Sequence, residues 1–132
     1  MNMLHAVARI ALAWVFVRAG FDVFRDPSRA AATAGPLLST LRSQAPGPVP
    51  DDVTLVRANA AAQVAGGVAL AVGVAPRLAA AVLIGSLVPT TYAGHPYWTL
   101  EDPAQRTGQR NHFNKNLGLL GGLILVVLSG RN

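Results

Sequence analysis

Cysteine is absent from this 132-residue chain. Disulfides, thiolate metal sites and thiol redox chemistry within the chain are thereby excluded. Charge is scarce as well. Asp, Glu, Lys and Arg make up 13% of the residues, against roughly 25% in soluble domains. Acid is the scarcer sign, with six Asp and Glu against eleven Lys and Arg. Deep histidines are missing too: His5, His95 and His112 fall at or near segment ends, which leaves no axial ligand for haem inside a bundle. No Gly-rich phosphate loop, nucleophile elbow or Walker-type lysine is present.

What remains is apolar, and its distribution is informative. Nothing charged lies between Arg57 and Arg77, between Arg77 and Glu101, or between Lys115 and Arg131, gaps of 19, 23 and 15 residues. Crossing the hydrocarbon core takes roughly 17–25 residues. A soluble helical core hides one such stretch, hardly three in a chain this short. The expected fold is all-α, an integral membrane four-helix bundle forming one domain, with spans near 4–24, 53–74, 77–93 and 113–129. The lipid bilayer is its principal partner. The net charge of +5 does not point to nucleic acid, because the basic residues are not gathered on one solvated face. They sit at the ends of spans or inside them. Ten of the eleven are Arg, and Ala, Gly and Val abound, a composition loosely indicative of a GC-rich bacterial genome. Arg18 and Asp22 interrupt what would otherwise read as a signal peptide, so the first segment is expected to be retained.

The first segment ends at Asp26-Pro27, since proline disfavours helical geometry in the residue before it. Ala30, Ala34, Leu37, Leu38 and Leu41 then form one stripe at helical spacing. They suggest a short interfacial helix between the first two spans, interrupted by Pro36 and followed by a stiff Pro-Gly-Pro-Val-Pro turn at 46–50. The second and third segments are close enough to form an antiparallel hairpin, and Pro89 is expected to kink the third or end its regular part. A loop from Gly94 to Asn111 leads to the fourth. An even number of spans puts both termini on one side. Arg25, Arg29, Arg42, Arg106 and Arg110 lie in the two long loops, against Arg77 and Arg131 opposite, which places those loops in the cytoplasm.

Polar residues inside spans need a reason, because a charge at mid-membrane costs roughly 2.5–3.5 kcal/mol. Arg9 and Arg18 lie within snorkelling reach of the headgroups. Arg18 and Asp22, four apart, share a face and pair. Asn59, Gln63 and Gly66 form a polar, close-packing stripe at i, i+4 and i+7. His112, Lys115, Asn116 and Leu119 repeat that spacing, and Lys115 projects within about 20° of Gly122. Gly118 and Gly122 make a small-xxx-small pair. Arg18, Asp22, Asn59, Gln63, Lys115 and Asn116 are thus candidates for one interior network near the long-loop side. Structural glue between helices is the competing reading. His95, Tyr97, Trp98 and His112 flank the third loop, where Tyr97 and Trp98 read most simply as an aromatic belt anchor. The His95 to His112 spacing with Glu101 and Asp102 matches no ligand motif, so no metal is expected.

Three stretches together carry a resemblance. They are Arg18-Ala-Gly-Phe-Asp22, then Asn59 to Gly73 followed by Pro76-Arg77-Leu-Ala-Ala. The third runs from Val88-Pro-Thr-Thr-Tyr-Ala-Gly-His95 through Trp98 to His112-Phe-Asn-Lys-Asn-Leu-Gly-Leu-Leu-Gly-Gly122. The chain resembles the DoxX family of small bacterial four-span membrane proteins over nearly its whole length, apart from the 28–52 stretch. Where many relatives carry glutamate before the paired glycines, this chain has Gln63, which separates it from any proton-handling role of that acid. The resemblance implies a multi-pass protein of the bacterial inner membrane. It also implies a context of terminal oxidases, thiosulfate–quinone oxidoreductases or oxidative-stress defence. Two functional readings follow. One is a ligand-binding subunit taking a quinone or another lipophilic small molecule at Arg18, Asp22, Asn59, Gln63, His95, Trp98, His112, Lys115 and Asn116. In it, Lys115 or Asn116 donates to the quinone carbonyls and an indole packs on the ring. The other is a non-catalytic anchor for soluble or membrane redox proteins, with transport of a small solute a third possibility. Homo-oligomerisation and catalysis stay open.

Overall fold

The computed structural model describes residues 2–129. Its elements are α1 (Met3–Arg25), α2 (Ser28–Gln44), α3 (Asp52–Val72), α4 (Pro76–Gly94), a 3-10 turn (Tyr97–Thr99) and α5 (Pro103–Ser129). Among the described residues no strand occurs, in line with the all-α expectation. Among the described residues, three helices are long and apolar enough to cross a membrane: α3, α4 with its 3-10 extension, and α5.

Each helix starts and stops for a local reason. The Asn2 side chain accepts from the Leu4 amide at the start of α1. Asp51 caps α3, accepting from the Thr54 amide at 3.4 Å and its hydroxyl at 2.6 Å. Asp102 accepts from the Gln105 amide at the start of α5. These side chains satisfy amide donors that a first helical turn leaves without partners. At its C-terminus α3 closes on Gly73 in the left-handed region, φ 80°. The Val74 amide returns to the Ala69 carbonyl and the Gly73 amide to Leu70, a closure that glycine adopts without a Cβ penalty. Ala75 is left-handed too, φ 42°, and Pro76 then opens α4. The α3–α4 hairpin therefore turns within three residues.

α1 packs chiefly on α3, α3 on α4, and α4 on α5. The paired glycines of α3 serve two different neighbours. A Cβ on Gly67 would come within 2.7 Å of the Val17 side chain and 3.3 Å of the Ala13 carbonyl on α1, whereas one on Gly66 would meet Leu83 of α4 at 3.1 Å. Gly20 completes the α1–α3 seam, its missing Cβ lying 2.7 Å from the Ala60 carbonyl. Small residues let backbones approach in this way where no hydrophobic drive separates helix from lipid. Ala13, Phe16, Leu70, Ala79, Ala80, Leu83, Leu87 and Leu123 form the core. Val68, Val72, Leu78, Val82, Ile124, Leu125 and Leu128 are exposed on the outer surface, while Ser86, Thr91 and Asn116 are buried. Polar groups inside and large aliphatics outside is the distribution suited to lipid.

Three expectations change. The fourth segment begins at Pro103, ten residues before the expected boundary near 113, because Asp102 and Pro103 supply a cap and a first-turn proline ahead of the polar stretch. Most of the 94–111 loop is therefore helix. α4 runs through Pro89 to Gly94, so that proline does not end it. The stripe on α2 is partly covered by protein: α2 packs on α3 and α4, half-burying Ala30, Ala34, Leu37 and Leu38 while Leu41 stays exposed. Arg42 ties the C-terminal end of α2 to α3, donating to the Asp52 carboxylate at 2.7 Å and the Pro50 carbonyl at 3.0 Å.

Candidate functional site

The end of the bundle where α1 finishes, α3 begins, α4 finishes and α5 enters carries most of the polar candidates. The expected single interior network does not form there. Arg18 and Asp22 pair with each other at 3.4 Å, but their side chains are 63% and 56% exposed, on the outer face of α1. Gly20 takes the buried face of that turn, which turns both charges away from α3. Lys115 is exposed on α5, and Asn59 is half-buried on α3. Gln63 and Asn116 do face inward, each toward α4. The Gln63 amide donates to the Ser86 hydroxyl at 2.9 Å, and Asn116, 8% exposed, donates to the Thr91 hydroxyl at 2.8 Å. Neither Ser86 nor Thr91 stood out in the sequence. Their signal is faint, since a lone hydroxyl in an apolar helix is also common as a local cap. Here Thr90 plays that local part, donating back to the Ser86 and Leu87 carbonyls.

Two arginines bind helix ends. The Arg9 Nε donates to the Leu70 carbonyl at 3.1 Å, within the last turn of α3. The Arg57 Nε donates to the Phe24 carbonyl at 3.3 Å, within the last turn of α1. Because α1 and α3 are antiparallel, each helix supplies the cation for the other's C-terminal dipole. Snorkelling therefore does not describe Arg9, whose head is held by protein.

The second group of candidates converges around the 3-10 turn. His95 and His112 stack with ring centroids 5.1 Å apart and planes 17° from parallel. His95 Nδ1 lies 2.6 Å from the Gln109 Oε1. Immediately beside them Tyr97, Trp98 and Phe113 meet edge to face at centroid distances of 5.3 to 5.9 Å, and Tyr92 adds a tilted contact to Trp98 at 6.0 Å. The T-shaped geometry sets ring edges on π faces, the favourable quadrupole arrangement. Tyr92 and Trp98 remain 60% and 44% exposed, leaving an aromatic wall open on its outer side. The Thr91–Asn116 pair lies one turn deeper. Among the described residues no three His, Asp or Glu side chains are grouped as for a metal.

Tyr92 and Trp98 thus keep part of their rings exposed at this corner. Of the expected donors, Asn116 already serves Thr91, whereas His112 and Lys115 are exposed on α5.

The family model for DoxX matches residues 4–96. The chain belongs to the DoxX family. Comparisons with curated proteins and with solved structures give no match. The matched stretch takes in α2, which the resemblance in sequence left out, and it stops before the Phe113 to Gly122 run on α5. In this DoxX member the aromatic and histidine corner is therefore shared between a matched half, Tyr92 to Pro96, and a half contributed from beyond it. The α1–α3 seam, the α3–α4 hairpin and the reciprocal arginine caps all lie within the matched residues. Family membership and three apolar helices of spanning length make it a membrane protein.

Proposed function

We propose that this DoxX protein is a binding subunit of a redox or oxidative-stress system in the bacterial inner membrane, taking a lipophilic ligand of the quinone class at the α4–α5 corner. The observation that carries the reading is the open wall of Trp98 and Tyr92, backed by Tyr97 and Phe113, beside the stacked His95 and His112. The corner stands at the polar end of two apolar helices, where an amphiphilic ring is at home. His112 and Lys115 are the donors available to ring carbonyls. The chain offers binding and orientation, and electrons come from a partner.

Trp14 and Trp98 are the two tryptophans of the chain, so Trp14→Phe leaves Trp98 as sole reporter. A short-tailed benzoquinone should quench its fluorescence saturably, and His112→Ala should weaken that binding. Linear, collisional quenching that is the same for Trp14 and Trp98 overturns the reading. The alternative of a scaffold for soluble redox partners draws on one feature: residues 103–112 of α5 run past the end of α4 and are exposed except at Gln109. If Arg106→Gln with Arg110→Gln abolishes function while quenching survives, the scaffold reading takes over.

The same proposal makes α1 the fourth span, with both termini outside. α1 is 23 residues long, roughly 34 Å at 1.5 Å per residue, enough for a hydrocarbon core of about 30 Å. In the cysteine-free background, Asn2→Cys and Gln105→Cys should label from opposite sides with an impermeant thiol reagent. Labelling from one side removes α1 from the membrane.

A further inference from the structure

The C-terminal half of α1 and the middle of α3 flank a groove on the bundle's outer face. It is lined by Phe21, Phe24, Ala61, Val64 and Ala65, with a volume of about 290 Å³. It exists because Gly20 draws the two backbones together, while Ala61 and Ala65 place only methyl groups opposite two phenyl rings. Two guanidinium groups stand against those same rings: Arg25 lies 5.6 Å from the Phe21 centroid and Arg57 lies 5.8 Å from that of Phe24. Among the described residues no carboxylate pairs with either, although the Arg57 Nε also donates to the Phe24 carbonyl. Arg18 takes the Asp22 carboxylate. Asp26 is engaged by the Ser28 amide and hydroxyl.

We propose that this groove is a binding site for an anionic phospholipid, with an acyl chain against Phe21, Phe24, Ala61, Val64 and Ala65 and its phosphate on Arg25 and Arg57. Charge complementarity selects the occupant. The lining is apolar and the two cations stand at one end, so the ligand is an amphiphile with an apolar tail and a negative head. A neutral quinone leaves both guanidinium groups unanswered, and the choline of a zwitterionic lipid opposes them. Arginine suits phosphate because its planar fork donates two parallel hydrogen bonds. Stacking on Phe21 and Phe24 holds the guanidinium groups before the lipid arrives, which lowers the ordering cost of binding. The site is separate from the α4–α5 corner and does not depend on the quinone reading.

The test is a titration of the full-length protein in detergent micelles with dioleoyl phosphatidylglycerol, read by native mass spectrometry. Phosphatidylcholine and inorganic phosphate serve as the other arms. Phosphatidylglycerol should bind in preference to phosphatidylcholine, and Arg25→Gln should weaken it about fivefold, the effect of one basic residue at an anionic surface. Arg57 also caps α1, so Arg25→Gln alone carries the charge test if the Arg57 variant does not fold. Ala61→Leu with Ala65→Leu fills the groove without touching charge and should also reduce binding. Arg106→Gln, near the start of α5 and outside the groove lining, should leave binding unchanged. Equal binding of phosphatidylcholine, or an equal loss in Arg106→Gln, overturns the proposal in favour of unspecific attraction. Displacement of the lipid by inorganic phosphate alone overturns it in favour of a plain anion site.

Discussion

Replacing Gly20 with alanine tests how the bundle is held together. The new Cβ would lie 2.7 Å from the Ala60 carbonyl, 3.0 Å from the Gln63 Cβ and 3.0 Å from a Val64 methyl. The nearest atom is backbone, so no rotamer change relieves it, and α1 must move off α3 by several tenths of an ångström along the seam. Overpacking of this kind costs about 1–3 kcal/mol. Alanine's better helix propensity returns roughly 1 kcal/mol, for a net loss of up to about 2 kcal/mol. Gly85 on α4 provides the internal control, because nothing lies within 4 Å of its missing Cβ. Gly85→Ala should be neutral or stabilising by up to about 1 kcal/mol on propensity alone. Gly67 gives a third arm. Its closest obstacle, at 2.7 Å, is the tip of the Val17 side chain, so Val17→Ala should recover part of the loss in Gly67→Ala. Val64→Ala should not recover Gly20→Ala, since the Ala60 carbonyl remains. Unfolding in mixed micelles of a mild detergent and dodecyl sulfate, followed by circular dichroism, reads all five variants. If Gly20→Ala matches Gly85→Ala, or Val64→Ala rescues it, the backbone-contact account of the α1–α3 seam is wrong.

Arg9→Ala should cost about 1 kcal/mol, the worth of a cation at a helix C-terminus, in the same unfolding assay; unchanged stability would mean the bond to the Leu70 carbonyl contributes nothing. Asn116→Ala should cost about 1–3 kcal/mol by stranding the buried Thr91 hydroxyl, and Thr91→Val in the same chain should restore part of it in a double-mutant cycle. The Thr54 hydroxyl and amide hold the Asp51 carboxyl below the ordinary aspartate value of 3.8. A depressed folded-state value means that this cap stabilises above the unfolded value and is lost as pH falls through the folded one, so hydrogen exchange in the first turn of α3 should accelerate only below about pH 4, and Asp51→Asn should flatten that dependence.

Much of this protein was legible in its sequence because a bilayer constrains so strongly. Charge-free gaps of spanning length leave helices as the economical solution, since backbone groups in lipid must bond within their own segment. The helical stripe from Ala30 to Leu41, the turn at Gly73 and Pro76, and the pairing of Arg18 with Asp22 follow from period and local sterics alone. The resemblance to DoxX likewise rested on residues standing in order along the chain.

Which face of each helix meets which neighbour was decided only by the tertiary structure. Periodicity says that Arg18 and Asp22 share a face, but the buried side of that turn belongs to Gly20, whose close approach to Ala60 turns both charges outward. Gly118 and Gly122 have the spacing of a packing pair. Among the described residues nothing lies within 4 Å of the missing Cβ of Gly118, and Gly122 makes only ordinary contact with Leu12, while Gly66 and Gly67, adjacent in sequence, carry two separate interfaces. Ser86 and Thr91 became visible as partners of Gln63 and Asn116 only when α4 was placed between α3 and α5. Arg9 and Arg57 read as isolated boundary charges until the antiparallel register set each beside the other helix's C-terminal carbonyls. The physical reason is the same in every case. Spacing along one helix fixes directions about its own axis, whereas packing depends on the relative rotation and register of two axes, which the closest backbone contacts determine.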